Sequence, residues 1–324
     1  MESSSPGSQQ PSLSQSQAYC FLIVYCLVYV LPLYASASTR ASPSRSRDAP
    51  EAIRARVRAV SLSAAVCSLS TLVIIRRSAA VAGSTLASAS GLSTTGHHGQ
   101  LPFHLMGLWP LGLLETAKAH LLTALLFTGP LYECLVVDGV WKRWLTLKPL
   151  RRVWLDWPTW RNIVAGPFTE ECLFRSAAVP LLLLAGSDST NIILRSPLVF
   201  GLAHLHHFYE FRITHPQTPL IAAAARSIFQ FLYTYIFGVY ATFILMRTGS
   251  LLAAISAHAL CNSIGLPRLW GSVEPYWLFR HDPSGPPSPA IWTALYYILL
   301  VAGFALWHSN LYILTESPMA LAVF

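Results

Sequence analysis

Charged side chains are scarce in this chain. Only 11% of its 324 residues are charged, whereas soluble proteins average about 25%. Hydrophobic residues make up 53%, and the mean hydropathy is +0.48. This composition predicts a polytopic membrane protein. The length would allow two soluble domains, but a single bundle of transmembrane helices accounts better for so few charges.

Acidic residues are fewer than basic ones. The chain has 14 Asp and Glu and 22 Lys and Arg, so its net charge is +8. The basic residues cluster in two loops: Arg40, Arg45, Arg47, Arg54, Arg56 and Arg58 in the first, and Lys142, Arg143, Lys148, Arg151, Arg152 and Arg161 in the second. Clusters beside apolar segments follow the positive-inside rule and attract anionic lipid. No nucleic-acid-binding fold accompanies them, so the expected partner is the lipid bilayer and no nucleic acid.

The chain lacks CxxC pairs and HExxH motifs. Its six cysteines all lie in apolar segments, which argues against a disulfide framework or a thiolate zinc site. Without a zinc-protease signature the sequence indicates no metal and no cofactor. Internal repeats are also lacking.

The predicted fold is all-α, with about eight transmembrane or intramembrane helices around an interior catalytic cavity. Residues 1–17 are expected to be a disordered tail, 18–160 N-terminal transmembrane helices with basic, Trp-rich loops, 161–267 the catalytic core, and 268–324 a loop and a C-terminal transmembrane helix. A second span is predicted from about residue 57 to 75, with a loop over 78–100. The segment 101–140 is either one long span after an interfacial helix or two short spans, kinked at Gly129-Pro130.

Two adjacent acids, Glu170 and Glu171, lie with Arg175 inside the apolar segment 163–185. Ionisable groups at membrane depth are costly and are usually functional. On a helix, Glu171 and Arg175 share a face in the favourable order, whereas Glu170 points elsewhere. The spacing therefore predicts a structural pair of Glu171 with Arg175 and leaves Glu170 as a candidate general base. The alternative is that both acids only brace the bundle.

Two further motifs supply polar groups. Phe200 and His204 share a helical face, and His258 and Asn262 lie four apart on another apolar helix. The second pair offers donors of the kind that stabilise an oxyanion, although such a pair is also common in packing. His206 and His207 complete a run that resembles a metal site, but three histidines so spaced cannot face one way on a helix. Both are therefore interpreted as interfacial. A thiol nucleophile at Cys172 or Cys261 is disfavoured, since each is rotated away from its motif neighbour.

The order EExxxR, FxxxH and HxxxN across apolar segments resembles the type II CAAX prenyl endopeptidases, the Ras-converting enzyme class. The similarity is densest from Asn162 to Pro267 and includes the flanking residues 167–169 and 237–240. It implies a multi-pass enzyme of the endoplasmic-reticulum membrane, open to the cytosol, that removes the last three residues of prenylated CAAX proteins such as Ras- and Rho-type small GTPases.

The resemblance also implies roles for matching positions. Glu170 and His204 would activate water, His258 and Asn262 would stabilise the oxyanion, and Glu171 and Arg175 would support the site. A non-catalytic membrane scaffold on the same fold, a zinc-dependent intramembrane protease and a transporter stay open as alternatives. The prenyl chain would come from the bilayer, and the basic interface, or Arg247, would hold the carboxylate of the tripeptide.

Overall fold

A computed structural model describes residues 12–42, 46–90, 101–275 and 290–322. Within these ranges the chain is helical and contains no strand, so the all-α prediction is confirmed. The elements in chain order are α1 (Gln15–Val30), α2 (Pro32–Ala35), α3 (Pro50–Ser90), α4 (Leu101–Leu105), α5 (Leu113–Leu126), α6 (Thr128–Tyr132), π1 (Glu133–Val137), α7 (Trp141–Trp144), α8 (Lys148–Leu155), α9 (Trp157–Trp160), π2 (Arg161–Ala165), α10 (Gly166–Glu171), π3 (Cys172–Ala177), α11 (Val179–Leu184), α12 (Ser189–Ala203), α13 (His206–Thr214), α14 (Leu220–Thr248), α15 (Leu251–Ile264) and α16 (Ala290–Asn310).

Four of the described helical segments are long and apolar enough to cross a membrane. They are Gln15–Ala35, Pro50–Ala80, Leu220–Thr248 and Ala290–Asn310. A fifth span results if the bent pair Leu113–Leu126 and Thr128–Val137 counts as one. A polytopic membrane protein is thus confirmed, although the described residues do not confirm the count of about eight. The remaining helices are too short to span a bilayer alone.

The boundaries of two N-terminal helices differ from those predicted. Helix α1 begins at Gln15 because Ser14 and Gln17 form a reciprocal capping box, so residues 15–17 belong to the helix and not to the tail. Helix α3 continues to Ser90, whereas a loop was predicted from residue 78. The small residues after Arg77 include many alanines, which have the highest helix propensity. Residues 1–11 and the two histidines at 97 and 98 lie outside the described part.

The segment 101–140 forms the short helix α4 and a bent pair of helices, so one span after an interfacial helix and two short spans both stay predictions. Helix α5 and the α6–π1 segment meet at 82°. The bend lies beside Gly129-Pro130, where proline removes a backbone donor. Gly129 also lies against α16, because a Cβ there would be 3.1 Å from the backbone of Leu300. At this bend α6 packs against the C-terminal helix α16.

The acid-bearing segment lies in the interior of the bundle. Helix α10 and π3 contact α3, α14 and α15, and α12 packs along α14. The largest buried cluster includes Leu173, Phe174, Leu181 and Leu182 from this segment, each at most 6% exposed. Burial of these side chains anchors the segment by the hydrophobic effect, so the neighbouring carboxylates are fixed in position.

Candidate active site

Glu170 and Glu171 are the last two residues of α10, and π-helical turns lie on both sides of this short helix. The chain is helical from α9 through π2, α10 and π3 to α11. A π turn inserts a residue into an α-helix and is common at functional sites. The wider turns after Glu171 change the direction of successive side chains. Glu171 is fully buried, whereas the side chain of Glu170 keeps 20% of its surface exposed.

The predicted ion pair between Glu171 and Arg175 is present. Arg175 Nε lies 3.2 Å from Glu171 Oε2, and the two side chains are 1% and 0% exposed. The guanidinium also lies over the ring of Phe200, 4.3 Å from its centroid. Gly238 permits this approach, since a Cβ there would be 3.2 Å from Arg175 Nη2. A buried charge needs such compensation, so the pair is structural.

His258 lies between the two acids. Its Nδ1 is 2.7 Å from Glu171 Oε1, and its Nε2 is 3.9 Å from Glu170 Oε2. Its ring packs against Phe237, with centroids 4.4 Å apart. An ionised carboxylate only accepts hydrogen bonds, so Nδ1 donates to Glu171. The remaining nitrogen, Nε2, is therefore the one directed toward Glu170.

His204 lies immediately after the end of α12, where its ring contacts Phe200 at a centroid distance of 4.7 Å. Its Nδ1 is 2.9 Å from the carbonyl oxygen of Phe200. Because a carbonyl only accepts, Nδ1 carries the proton and Nε2 is left as an acceptor. Asn262 donates from Nδ2 to the carbonyl of Asn162 at 2.9 Å. Each polar group is thus oriented by a fixed partner.

The structure brings all four predicted catalytic residues to one cavity. Glu170, His204, His258 and Asn262 line a space of about 870 Å³. Glu171 and Arg175 do not line it and lie behind its wall, as expected of supporting residues. Most of the remaining wall is apolar, and about half of its residues come from α14 and α16, among them Phe237, Phe243, Phe304 and Trp307. The cavity is therefore a mainly apolar chamber with one polar corner, a name used here for Glu170, His204, His258 and Asn262.

A second, smaller cavity of about 170 Å³ adjoins the polar corner. Five residues line both cavities: Asn162, Glu170, His204, His207 and Asn262. The other wall of the second cavity carries Arg47, Arg56 and Arg161. The motifs did not indicate Asn162, His207 or these arginines as cavity residues. The arginines had appeared only as members of the two basic clusters.

His206 and His207 are partly buried and both line the smaller cavity, and their interpretation as interfacial side chains stays a prediction. His207 Nδ1 lies 3.2 Å from Glu210 Oε2, a pair three residues apart that the sequence could have indicated. Among the described residues, His206, His207 and Glu210 are the one group of three possible metal ligands within 4.8 Å of one another. Arg47 and Arg56 both bind Glu210, so this carboxylate already has cationic partners.

The structure also locates the two cysteines and the arginine that the sequence analysis considered. Cys261 lines the large cavity, whereas Cys172 does not. The described residues show no hydrogen bond from the Cys261 sulfur to an imidazole, so the low-pKa environment that a nucleophilic thiol needs is missing. Arg247 binds the carbonyl of Tyr312 and the hydroxyl of Thr315. Arg247 lines neither cavity, so its position does not support the suggestion that it binds the carboxylate of the tripeptide.

The family description Type II CAAX prenyl endopeptidase Rce1-like matches residues 152–264. These residues include the four cavity residues and the buried ion pair. The chain is 32% identical to the probable CAAX prenyl protease 2 of Schizosaccharomyces pombe, over 90% of this chain and 92% of that relative. The chain belongs to the Rce1-like family. The resemblance drawn from the three motifs is therefore confirmed.

Other relatives carry the name CAAX prenyl protease 2. The chain is 26% identical to CAAX prenyl protease 2 of Saccharomyces cerevisiae, over 94% of this chain and 98% of that protein. It is 35% identical to CAAX prenyl protease 2 of Homo sapiens, over 53% of this chain and 52% of that protein. The chain matches no solved structure. Membership in this family identifies the chain as a membrane endopeptidase of the CAAX class.

Proposed function

We propose that this chain removes the C-terminal tripeptide from prenylated CAAX proteins, such as Ras- and Rho-type small GTPases. The reaction takes place in the endoplasmic-reticulum membrane, with the polar corner accessible from the cytosol. One observation carries the proposal: Glu170, His204, His258 and Asn262 all line one large, mainly apolar cavity. That arrangement suits a substrate that joins a lipid chain to a peptide bond.

Glu170 is the general base of the proposed hydrolysis. It accepts a proton from water while the water oxygen bonds to the carbonyl carbon of the prenylated cysteine. His204 Nε2, the acceptor left by the Phe200 contact, orients the same water. As the tetrahedral intermediate collapses, the carbon–nitrogen bond breaks and the abstracted proton passes to the leaving amine. Base catalysis of this kind contributes roughly 10²–10⁴-fold.

His258 and Asn262 stabilise the oxyanion. The second N–H of Asn262 is available because its Nδ2 uses one proton for the carbonyl of Asn162. In the proposed step His258 donates from Nε2 with both ring nitrogens protonated, and its ring lies between the carboxylates of Glu170 and Glu171. Donors aimed at a developing negative charge in a site that excludes water are among the strongest contributions to catalysis.

The apolar part of the cavity holds the prenyl chain. Burial stabilises such a chain by about 0.8 kcal/mol per CH2 group. Phe304 of α16 lines the cavity and is 57% exposed. Tyr240 and Trp307 join α14 to α16 through rings 5.8 Å apart. Phe304 therefore supports access for the prenyl chain from the bilayer between these two helices.

The test is purified protein in liposomes with a farnesylated CAAX peptide, with tripeptide release followed by mass spectrometry. We expect release by the wild type and its loss in Glu170→Ala and His204→Ala. Glu133→Ala is a matched control, because Glu133 pairs with Arg268 away from both cavities. A wild-type rate in Glu170→Ala would overturn the mechanism. No release by folded wild type would instead support a scaffold, and loss of activity on exhaustive chelation would support a zinc enzyme.

A further inference from the structure

The two cavities meet at the residues proposed to act on the peptide bond. Glu170 and His204 belong to the wall that both cavities share. A substrate bond held there has one part of its chain in each direction. The prenylated cysteine precedes the bond and matches the apolar cavity. The residues after the bond are thereby directed into the smaller cavity.

The smaller cavity is basic. Arg47, Arg56 and Arg161 line it, and their acidic partners are Glu210 and Asp48. The three guanidinium groups outnumber the two carboxylates that pair with them, and Glu170, the carboxylate in the cavity wall itself, lies beside His258 instead. That excess matches one carboxylate supplied by a ligand, because an arginine fork binds a carboxylate through charge-assisted hydrogen bonds.

The three arginines are not equally committed to their present partners. Arg56 is 11% exposed and binds the carbonyl of Thr39 as well as Glu210. Burial alone would raise the pKa of Glu210, but hydrogen bonds from His207 and Arg56 hold it well below its usual range. Glu210 lies in α13, outside the spanning helices. Its carboxylate is therefore ionised and neutralises Arg56, so Arg56 has a structural role.

Arg47 and Arg161 are more accessible. The side chain of Arg47 is 40% exposed, and its contact with Glu210 is long, at 3.5 Å. Arg161 is 20% exposed and pairs with Asp48, whose side chain is 55% exposed and solvated. An ion pair that is long, or whose acid is solvated, contributes little stability. These two guanidinium groups are therefore able to bind an incoming carboxylate.

The leaving peptide is short. Three residues in an extended conformation span roughly 10 Å, at about 3.3–3.6 Å per residue. The leaving tripeptide therefore carries its free carboxylate within about that distance of the broken bond. Glu170 and the arginines line the same small cavity, so this cavity offers a partner to each end of the fragment.

We propose that Arg47 and Arg161 bind the C-terminal carboxylate of the CAAX substrate in the smaller cavity and so position the peptide bond at Glu170. This inference rests on the proposed endopeptidase function. The two arginines are positioning and specificity residues, because they contact the substrate three residues from the reacting bond. They also explain how the enzyme selects the extreme C-terminus of its substrates.

The test compares two farnesylated peptides of the same sequence, one with a free C-terminal carboxylate and one with a C-terminal amide. The wild type is expected to cleave the acid with a kcat/KM roughly 10–100-fold higher, as loss of one charge-assisted hydrogen bond implies. Arg47→Gln and Arg161→Gln are each expected to raise KM for the acid and to shrink the acid-to-amide ratio. Since each ratio is measured on one preparation, it is independent of the fraction of folded enzyme.

Arg54→Gln is the matched control, because Arg54 lies in the same basic cluster but over the ring of Trp157 and outside both cavities. It should keep the wild-type ratio, and Arg47→Lys should keep part of the preference. Equal cleavage of acid and amide by the wild type would overturn the inference while leaving the endopeptidase function intact. An unchanged ratio in both Gln variants would also overturn it. Failure of the wild type to cleave either peptide would instead contradict the proposed function itself.

Discussion

His258 Nδ1 lies 2.7 Å from Oε1 of Glu171. Glu171 thus has two partners, since its carboxylate also pairs with Arg175. The acid that the spacing assigned to a structural role therefore also orients an imidazole of the cavity. A buried carboxylate that holds the far nitrogen of a histidine fixes which nitrogen faces the substrate. Glu171 links the stability of the bundle to the chemistry of the site.

Glu171→Gln is predicted to lower both stability and activity. The amide keeps an acceptor for His258 Nδ1 but leaves the buried guanidinium of Arg175 without a counter-charge. Removing one partner of a buried pair costs about 3–5 kcal/mol. Thermal unfolding in detergent should show a lower Tm than the wild type, and kcat should fall because the ring of His258 loses the negatively charged partner of its Nδ1.

Glu170→Gln is the matched control for that variant. Glu170 lines the cavity and is not part of the buried ion pair, so its amide should abolish peptide release with little change in Tm. The opposite pattern, a stable Glu171→Gln enzyme beside an unstable Glu170→Gln enzyme, would mean that the roles of the two acids are reversed.

The sequence was sufficient for the parts of the site that depend on local helical spacing. Glu171 with Arg175 and His258 with Asn262 are each four residues apart, so helical geometry predicts which side chains share a face. The contact between His258 and Glu171 joins two helices distant in sequence. No spacing predicts it, because it depends on how α15 packs against α10.

The basic cavity illustrates the same limit. Arg47 and Arg161 belong to the two basic clusters that their sequence context predicts to be loops at the membrane surface. Folding brings Arg161 to Asp48, 2.8 Å away, and places both arginines beside the shared cavity wall. Composition identified the charges correctly, but only tertiary packing determines that some of them face inward. The end of α3 was missed for a different reason, since helix propensity there exceeded the effect of small polar residues.

Asn262→Ala is predicted to lower kcat roughly 10²–10³-fold with little change in KM, the usual effect of removing one oxyanion donor. Ser263→Ala is its control, because Ser263 bonds the Ala259 carbonyl of its own helix and lines neither cavity. Steady-state kinetics on a farnesylated peptide separate the two constants. A large rise in KM at unchanged kcat would indicate that Asn262 binds the ground state instead.

Gly238→Ala is predicted to destabilise the protein by about 1–3 kcal/mol, the usual cost of overpacking a core. A Cβ at this position would lie 2.7 Å from the Cβ of Pro197 and 3.3 Å from the ring of Phe200. Both neighbours are buried between α12 and α14, so neither can move away cheaply. Ile228→Ala on the exposed face of α14, where the side chain is 61% exposed, is the control. Equal Tm values for both variants and the wild type would contradict close packing at Gly238.

Cys261→Ala is predicted to retain the wild-type kcat, because the thiol only lines the cavity one position before Asn262. Cys20→Ala is the control, since Cys20 is exposed and lines neither cavity; it should also keep the wild-type kcat on a farnesylated peptide. An inactive but folded Cys261→Ala enzyme would instead make this sulfur the nucleophile and remove the water mechanism.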